Sequence, residues 1–248
     1  MHTVNNKIFQ NFDHLLDIPK LLKIKPYLSA YIAKNLQYCR PTKFGNMSFV
    51  NKEKSLTGVH DAIEYSRANL SEYDADFKPI AEDLLANDLF GSFIIFEEDV
   101  THTSFSLNTR YNTHGLYNKH RPECVAKISS DHQLQIFYDW LDSQEIFQEY
   151  GRVLFFINYP GSRQIAHTDP SDPAKHDPDE FIWINLNPKR KKLFVLNEST
   201  NEKTYIEGYV NWFNTDNFHG GDISEYACYA LRVDGTFSDK FKEKFIKK

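Results

Sequence analysis

The feature that most restricts the fold of this chain is a series of short apolar segments separated by turn-forming residues. From residue 152 the segments read RVLFFINY, FIWINL, KLFVLN, TYIEG, VNWFN and ACYALRV. The stretches between them contain PGS, NPKR, NEST and HGGD, which are typical of turns. Six or more short strands at this spacing, with no helical pattern between them, predict a sandwich or barrel rather than βαβ units.

The N-terminal part of the chain has a different periodicity. Apolar residues recur at helical spacing from Ile8 to Leu16, from Leu28 to Leu36 and again from Asp61 to about Leu85. The segments 90–99 and 104–111 suit strands, and Asp131 suits the cap of a further helix. We therefore expect one α+β domain over residues 1–248. Residues 1–90 would form a mainly helical scaffold packed on a β-rich core at 150–236.

Composition restricts the class of protein further. The net charge of −5 over 248 residues provides no general basic field, so we expect no nucleic-acid partner. The three cysteines are far apart in sequence, which argues against a disulfide framework and against a Cys-x-x-Cys metal site. We see no signal-peptide pattern and no apolar run of about 20 residues, so we expect a soluble, cytoplasmic protein with no membrane partner.

Three residues in the β-rich part could together bind a metal ion. His167 and Asp169 directly follow an apolar segment, and residues two apart in an extended segment project from the same face. His219 comes near the end of a later strand and is followed by two glycines that allow tight turning. Two imidazoles and one carboxylate on one face of an octahedron leave three positions open, which is the arrangement of non-haem Fe(II) oxygenases.

Arg232 is the second chemical signal. It interrupts the apolar, aromatic segment YACYALRV, where burying a guanidinium is costly unless an anion meets it. A dicarboxylate such as 2-oxoglutarate could chelate the iron at one end and form a bidentate pair with Arg232 at the other. The alternative is that Arg232 makes a structural ion pair.

These motifs carry a resemblance to a known superfamily. The segments INYPGSRQIAHTD, EGYVNWFNTDNFHGGD and LRVDG, within about residues 150–236, resemble the Fe(II)/2-oxoglutarate-dependent dioxygenases. The resemblance implies a double-stranded β-helix (a jelly-roll, cupin-like core), with Fe(II), 2-oxoglutarate and O₂ as cofactor and co-substrates. NYPG resembles the corresponding strand of AlkB-like and prolyl-hydroxylase-like members, which implies Tyr159 and Asn158 as further contacts of 2-oxoglutarate.

The same resemblance implies the reaction and leaves the substrate open. Asp169 occupies the position where halogenating members have a small residue, so hydroxylation of an unactivated C–H bond is favoured over chlorination. The stretch DPSDPAKHDPDEF is acidic and follows the first two ligands, so Asp177 and Asp179 could attract an amine-bearing amino acid or peptide. The alternatives are a solvated surface loop, an AlkB-like oxygenase of nucleic acid or protein side chains, and a non-catalytic metal-binding β-barrel.

Overall fold

The structure is a computed structural model, and it describes residues 8–35, 102–106, 110–111, 125–126, 132–158, 164–169, 179–188, 193–222 and 228–246. The helices expected within 61–85 and the strand expected at 90–99 lie outside these residues. No helix in the described ranges is both long enough and apolar enough to cross a membrane.

In the second half of the chain the six apolar segments predicted as strands correspond to strands of the structure. Two further short strands carry the two histidines: Gln164–His167 was not among the predicted segments, and His219–Gly221 replaces the turn predicted at HGGD. The strands are β1 (Phe9–Asn11), β2 (His102–Ser106), β3 (Arg110–Tyr111), β4 (Val125–Ala126), β5 (Phe147–Asn158), β6 (Gln164–His167), β7 (Phe181–Asn185), β8 (Leu193–Asn197), β9 (Glu202–Tyr205), β10 (Val210–Phe213), β11 (His219–Gly221) and β12 (Cys228–Phe237). The helices are a 3-10 turn (Asp13–Leu15), α1 (Ile18–Asn35), α2 (His132–Ser143) and α3 (Asp239–Ile246).

The strands assemble into antiparallel sheets. Among the described residues, a six-stranded sheet has the order β1-β10-β7-β12-β5-β2, and a four-stranded sheet has the order β6-β11-β8-β9. Strands β3 and β4 form a separate pair. The prediction of a mixed α+β fold is confirmed, and the strands of the described sheets pair antiparallel.

From β5 to β12 the chain repeatedly changes sheet. Strands β5, β7, β10 and β12 belong to the six-stranded sheet, whereas β6, β8, β9 and β11 belong to the four-stranded one. As a result β6 and β11, which are far apart in sequence, are hydrogen-bonded neighbours. Strand β12 lies inside the larger sheet, between β7 and β5.

The core is rich in aromatic side chains. All five residues of β7 are buried, so both faces of this strand are covered. Phe12 packs its ring against Phe237, Phe241 and Phe245, with centroid distances of 6.0, 4.9 and 5.1 Å. These edge-on and tilted ring contacts join α3 and the end of β12 to the N-terminal segment.

Helix α1 buries one face against α2 and begins at a capping residue. Leu21, Ile24 and Leu28 are buried at helical spacing, and α1 packs against α2. The Asp17 carboxylate accepts a hydrogen bond from the Lys20 N–H at 3.0 Å, which satisfies one of the free donors of the first turn. The helix continues through Pro26.

The prediction of a helix from Ile8 to Leu16 is wrong. Residues Phe9–Asn11 form strand β1 on the edge of the six-stranded sheet, with Phe9 opposite Phe213. The Asp13 carboxylate accepts hydrogen bonds from the Tyr209 and Val210 N–H groups at 2.7 to 3.0 Å. Pairing with β10, almost 200 residues away, therefore overrides the local helical periodicity.

Candidate metal centre

The two predicted histidine ligands are brought together by strand pairing. His167 is the last residue of β6 and His219 is the first residue of β11, and the two residues stand opposite each other in the antiparallel register. Their ring centroids are 4.5 Å apart. Side chains of directly opposed residues lie on the same face of a sheet, so both rings point toward the same space.

Asp169 completes the group. Its backbone N–H donates to the Thr215 carbonyl at 3.1 Å, which fixes the chain just beyond β6. Its Oδ1 atom lies 3.8 Å from the Nε2 atom of His167 and 3.8 Å from that of His219. One ligand atom from each residue lies within 4.8 Å of the others, so a single ion could contact all three.

The surroundings of His219 favour a neutral imidazole whose Nε2 atom can bind a metal ion. Its Nδ1 atom lies 3.1 Å from the Asn217 carbonyl, which can only accept, so Nδ1 carries the hydrogen and Nε2 keeps its lone pair. Burial lowers the pKa of His219 to about 4, although the nearby Asp169 carboxylate opposes this shift. The ring is therefore uncharged near neutral pH, as metal binding requires.

Arg232 lies in the same site and is bonded to one of its ligands. Its Nη1 atom donates to Asp169 Oδ2 at 2.6 Å, and its Nε atom donates to Asp234 Oδ1 at 2.8 Å. The Phe181 ring lies 4.2 Å from the guanidinium carbon. Burial alone would lower the pKa of Arg232, but the Asp234 and Asp169 carboxylates outweigh it and raise the pKa above its ordinary value.

The third guanidinium nitrogen is placed differently. Within the part of the chain that the structure describes, Arg232 Nη2 is buried without a hydrogen-bond partner, and it forms an ion pair with Asp179 Oδ2 at 4.0 Å. Asp179 is itself buried, and its backbone carbonyl accepts from Trp212 Nε1 at 2.9 Å. With Nε and Nη1 already bonded, Nη2 is the atom through which Arg232 could meet a co-substrate carboxylate.

The residues present fit a divalent metal ion. The donor set of two imidazole nitrogens and one carboxylate suits Fe(II), and no thiolate competes for a softer metal among the described residues of the group. Three carboxylates, those of Asp169, Asp179 and Asp234, form ion pairs with the single guanidinium of Arg232.

The other predicted site residues are less completely described. Asn158 ends β5, opposite Cys228, and its side chain is not among those described. Tyr159 and Asp177 lie outside the described residues. Sequence reasoning did not identify Asp234, although its position two residues after Arg232 on a strand places both on one face. The carbonyls of Asn217 and Thr215 have no signal in the sequence, because every residue carries that group.

No family model matches the sequence, and no curated protein matches it. A Pseudomonas putida prolyl-4-hydroxylase is similar in structure, with 12% identity and a TM-score of 0.32 over 45% of this chain and 67% of that chain.

Two further solved structures resemble larger parts of the chain. A prolyl hydroxylase from Trichoplax adhaerens, in complex with a hypoxia inducible factor oxygen degradation domain peptide fragment, has 13% identity and a TM-score of 0.33 over 92% of this chain and 96% of that one. An oxidoreductase of the 2OG-Fe(II) oxygenase family from Burkholderia pseudomallei has 12% identity and a TM-score of 0.38 over 71% and 88%.

Proposed function

We propose that this protein is an Fe(II)- and 2-oxoglutarate-dependent oxygenase that hydroxylates an unactivated C–H bond. The observation that carries the proposal is the convergence of His167, Asp169 and His219, with ligand atoms within 4.8 Å of one another. The change of sheet at almost every strand from β5 to β12 supports a double-stranded β-helix, which would hold these ligands at one end.

Each residue of the site has a distinct role in this proposal. When bound, Fe(II) with 2-oxoglutarate and O₂ supplies the oxidising chemistry, which side chains alone cannot provide. His167, Asp169 and His219 would hold the metal on one face and leave three positions open. The Nδ1–H bond of His219 to the Asn217 carbonyl keeps its Nε2 lone pair directed at the site. Arg232 Nη2 would receive a carboxylate of 2-oxoglutarate.

Aromatic rings cover one side of the ligand group, whereas the side chains of His167 and Asp169 remain 28% and 23% exposed. The Phe213 ring centroid lies 5.2 Å from that of His219, and the Phe181 ring covers the Arg232 guanidinium. An apolar wall of this kind strengthens charge interactions within the site and limits side reactions with solvent.

The first test is 2-oxoglutarate turnover. With Fe(II) present, the wild-type chain should convert 2-oxoglutarate to succinate and CO₂, and adding a chelator should stop the reaction. Succinate can be quantified directly by mass spectrometry, without knowledge of the substrate, because many oxygenases show slow uncoupled turnover. Metal binding without any succinate formation, under every substrate condition tried, would instead indicate the non-catalytic metal-binding barrel.

We further propose that the substrate is a small or peptidyl molecule with an amine group. The support is the acidic stretch 172–180 after Asp169, in which Asp177 and Asp179 were the predicted contacts. Asp179 is buried beside Arg232, so Asp177 is the better residue for a test.

Basic amino acids and peptides should stimulate succinate formation more than acidic or neutral analogues, and Asp177→Asn should raise the KM of the amine substrate without changing that of 2-oxoglutarate. Stimulation by methylated oligonucleotides alone would favour the AlkB-like alternative.

A further inference from the structure

We propose that Arg232 and Asp234 are positioning residues that restrict Asp169 to one metal-facing oxygen atom. This inference rests on the proposed function. It concerns a property that the metal ligands alone do not determine, namely how many coordination positions the chain leaves open.

The two oxygen atoms of Asp169 have different partners in the structure. Oδ1 lies 3.8 Å from the Nε2 atoms of both His167 and His219, so it is the oxygen that shares their space. Oδ2 accepts a charge-assisted hydrogen bond from Arg232 Nη1 at 2.6 Å. Oδ2 is therefore engaged by the guanidinium on β12, whereas Oδ1 is the oxygen that both imidazoles approach.

Whether Asp169 binds the metal through one oxygen or through both decides how many coordination positions of the ion stay open. A carboxylate can bind a metal through one oxygen or through both. With one oxygen, the His-Asp-His group occupies three positions of an octahedron and leaves three; with both, it leaves two. A chelating co-substrate and O₂ together need three positions, so the hold on Oδ2 would be required for both to bind at once.

Arg232 can exert this hold because it is itself fixed. Asp234 is fully buried and accepts from Arg232 Nε at 2.8 Å, and the Phe181 ring lies 4.2 Å from the guanidinium carbon. Arg232 and Asp234 stand two residues apart on β12, which lies between two other strands of the larger sheet. The planar guanidinium therefore spans two carboxylates from a rigid strand, which a single ammonium group could not reproduce.

The experiment uses Mn(II) alone, without 2-oxoglutarate, on the full chain. The relaxation of bulk water protons by bound Mn(II) reports how many exchangeable waters the ion carries. The main variant is the double substitution Arg232→Met with Asp234→Asn, which removes the guanidinium together with its buried counter-charge so that neither is left unpaired. Asp222→Asn is the matched control, because Asp222 also bonds two donors, Lys203 and Tyr205, and these lie on β9.

The expected result is that Mn(II) still binds to the double variant but that the relaxation enhancement per bound ion falls by about one third, as three open positions become two. The Asp222→Asn control should match the wild type. Asp234→Ala, which keeps Arg232 but removes its anchor, should shift the enhancement in the same direction by less, and it serves as the second variant if the double variant does not fold.

Two adverse results have different meanings. If the wild-type chain does not bind Mn(II) or Fe(II), the proposed function fails and the inference fails with it. If the wild type binds Mn(II), but folded double-variant or Asp234→Ala protein shows wild-type relaxation, the positioning role is overturned while the metal site stands. A role of Arg232 limited to contacting 2-oxoglutarate predicts that second result, since no co-substrate is present.

Discussion

Individual residues in the site are distinguished by their partners rather than by their type. His167 and His219 both lie on short strands, but His219 is almost fully buried, whereas the side chain of His167 is 28% exposed. The His219 ring is also oriented by the Asn217 carbonyl, which lies 3.1 Å from Nδ1. His14, by contrast, is exposed on the 3-10 turn and does not belong to the candidate metal group. Burial with an oriented ring is what makes a histidine a ready ligand, because the protein has already selected the tautomer.

Replacing His219 by Ala should remove metal binding without unfolding the chain. Loss of residues that merely support a ligand typically weakens metal affinity 10- to 100-fold, so loss of the ligand should cost at least ~100-fold. Fe(II) or Mn(II) affinity can be measured by equilibrium dialysis and the fold by circular dichroism, with His14→Ala as the control. Wild-type metal affinity in His219→Ala would remove His219 from the ligand set.

Among the secondary-structure elements, the link between β1 and the turn before β10 is the least expected from the sequence. Gly208 in that turn has φ of +89°, and a Cβ atom there would come within 2.6 Å of Asp13 Oδ2 and would also contact Asn11 Nδ2. The Asn11 amide donates to the Glu207 carbonyl at 3.2 Å and to Asn211 Oδ1 at 3.0 Å. The absence of a side chain at Gly208 therefore allows the N-terminal segment to approach the sheet.

Gly208→Ala should destabilise the protein by about 1–3 kcal/mol, because the new side chain is strained at positive φ and collides with the groups that fasten β1. Urea unfolding followed by fluorescence measures this change. Glu207→Ala, at an exposed side chain in the same turn, should change the free energy of unfolding by less than about 0.5 kcal/mol. Equal stabilities of the two variants would show that β1 contributes little to the fold.

The molecule as a whole places the metal ligands where distant parts of the chain meet. His167 and His219 come from two strands of the smaller sheet, and Asp169 bonds Arg232 from the centre of the larger sheet. An ion held at this point would therefore connect the two sheets. Since the unfolded chain cannot present the three ligands together, metal binding should appear as added stability of the whole fold.

Saturating Mn(II) should therefore raise the melting temperature. At a free metal concentration 100 times the Kd, linkage gives about 2.7 kcal/mol of stabilisation. Thermal unfolding with and without Mn(II) measures the shift, which EDTA should reverse and which His219→Ala should lose. An unchanged melting temperature at saturating metal would mean that the ion binds the folded and unfolded chains equally, contrary to a preformed site.

The amino-acid sequence by itself predicted those features of the fold and site that depend on neighbouring residues. Apolar segments and turn residues predicted β5, β7, β8, β9, β10 and β12, since a strand's period and its ends depend on neighbouring residues. Strand β6 was not among the predicted segments, and a turn was predicted at HGGD, where the structure has β11. The same period placed His167 and Asp169 on one face. The predicted helix from Ile8 to Leu16 is wrong, because the spacing of a few apolar residues stabilises a helix only slightly. Pairing with β10 and the hydrogen bonds accepted by Asp13 stabilise the strand conformation more.

The tertiary structure alone decided what depends on residues distant in sequence. The register that sets His167 opposite His219 joins strands about fifty residues apart, and the Arg232 bond to Asp169 spans a still longer separation. A buried arginine reveals the need for an anion and not its source, so the sequence left open both a co-substrate carboxylate and a structural ion pair for Arg232. The folded chain itself brings two carboxylates to Arg232, those of Asp169 and Asp234, because strand pairing and the end of β6 place them beside it.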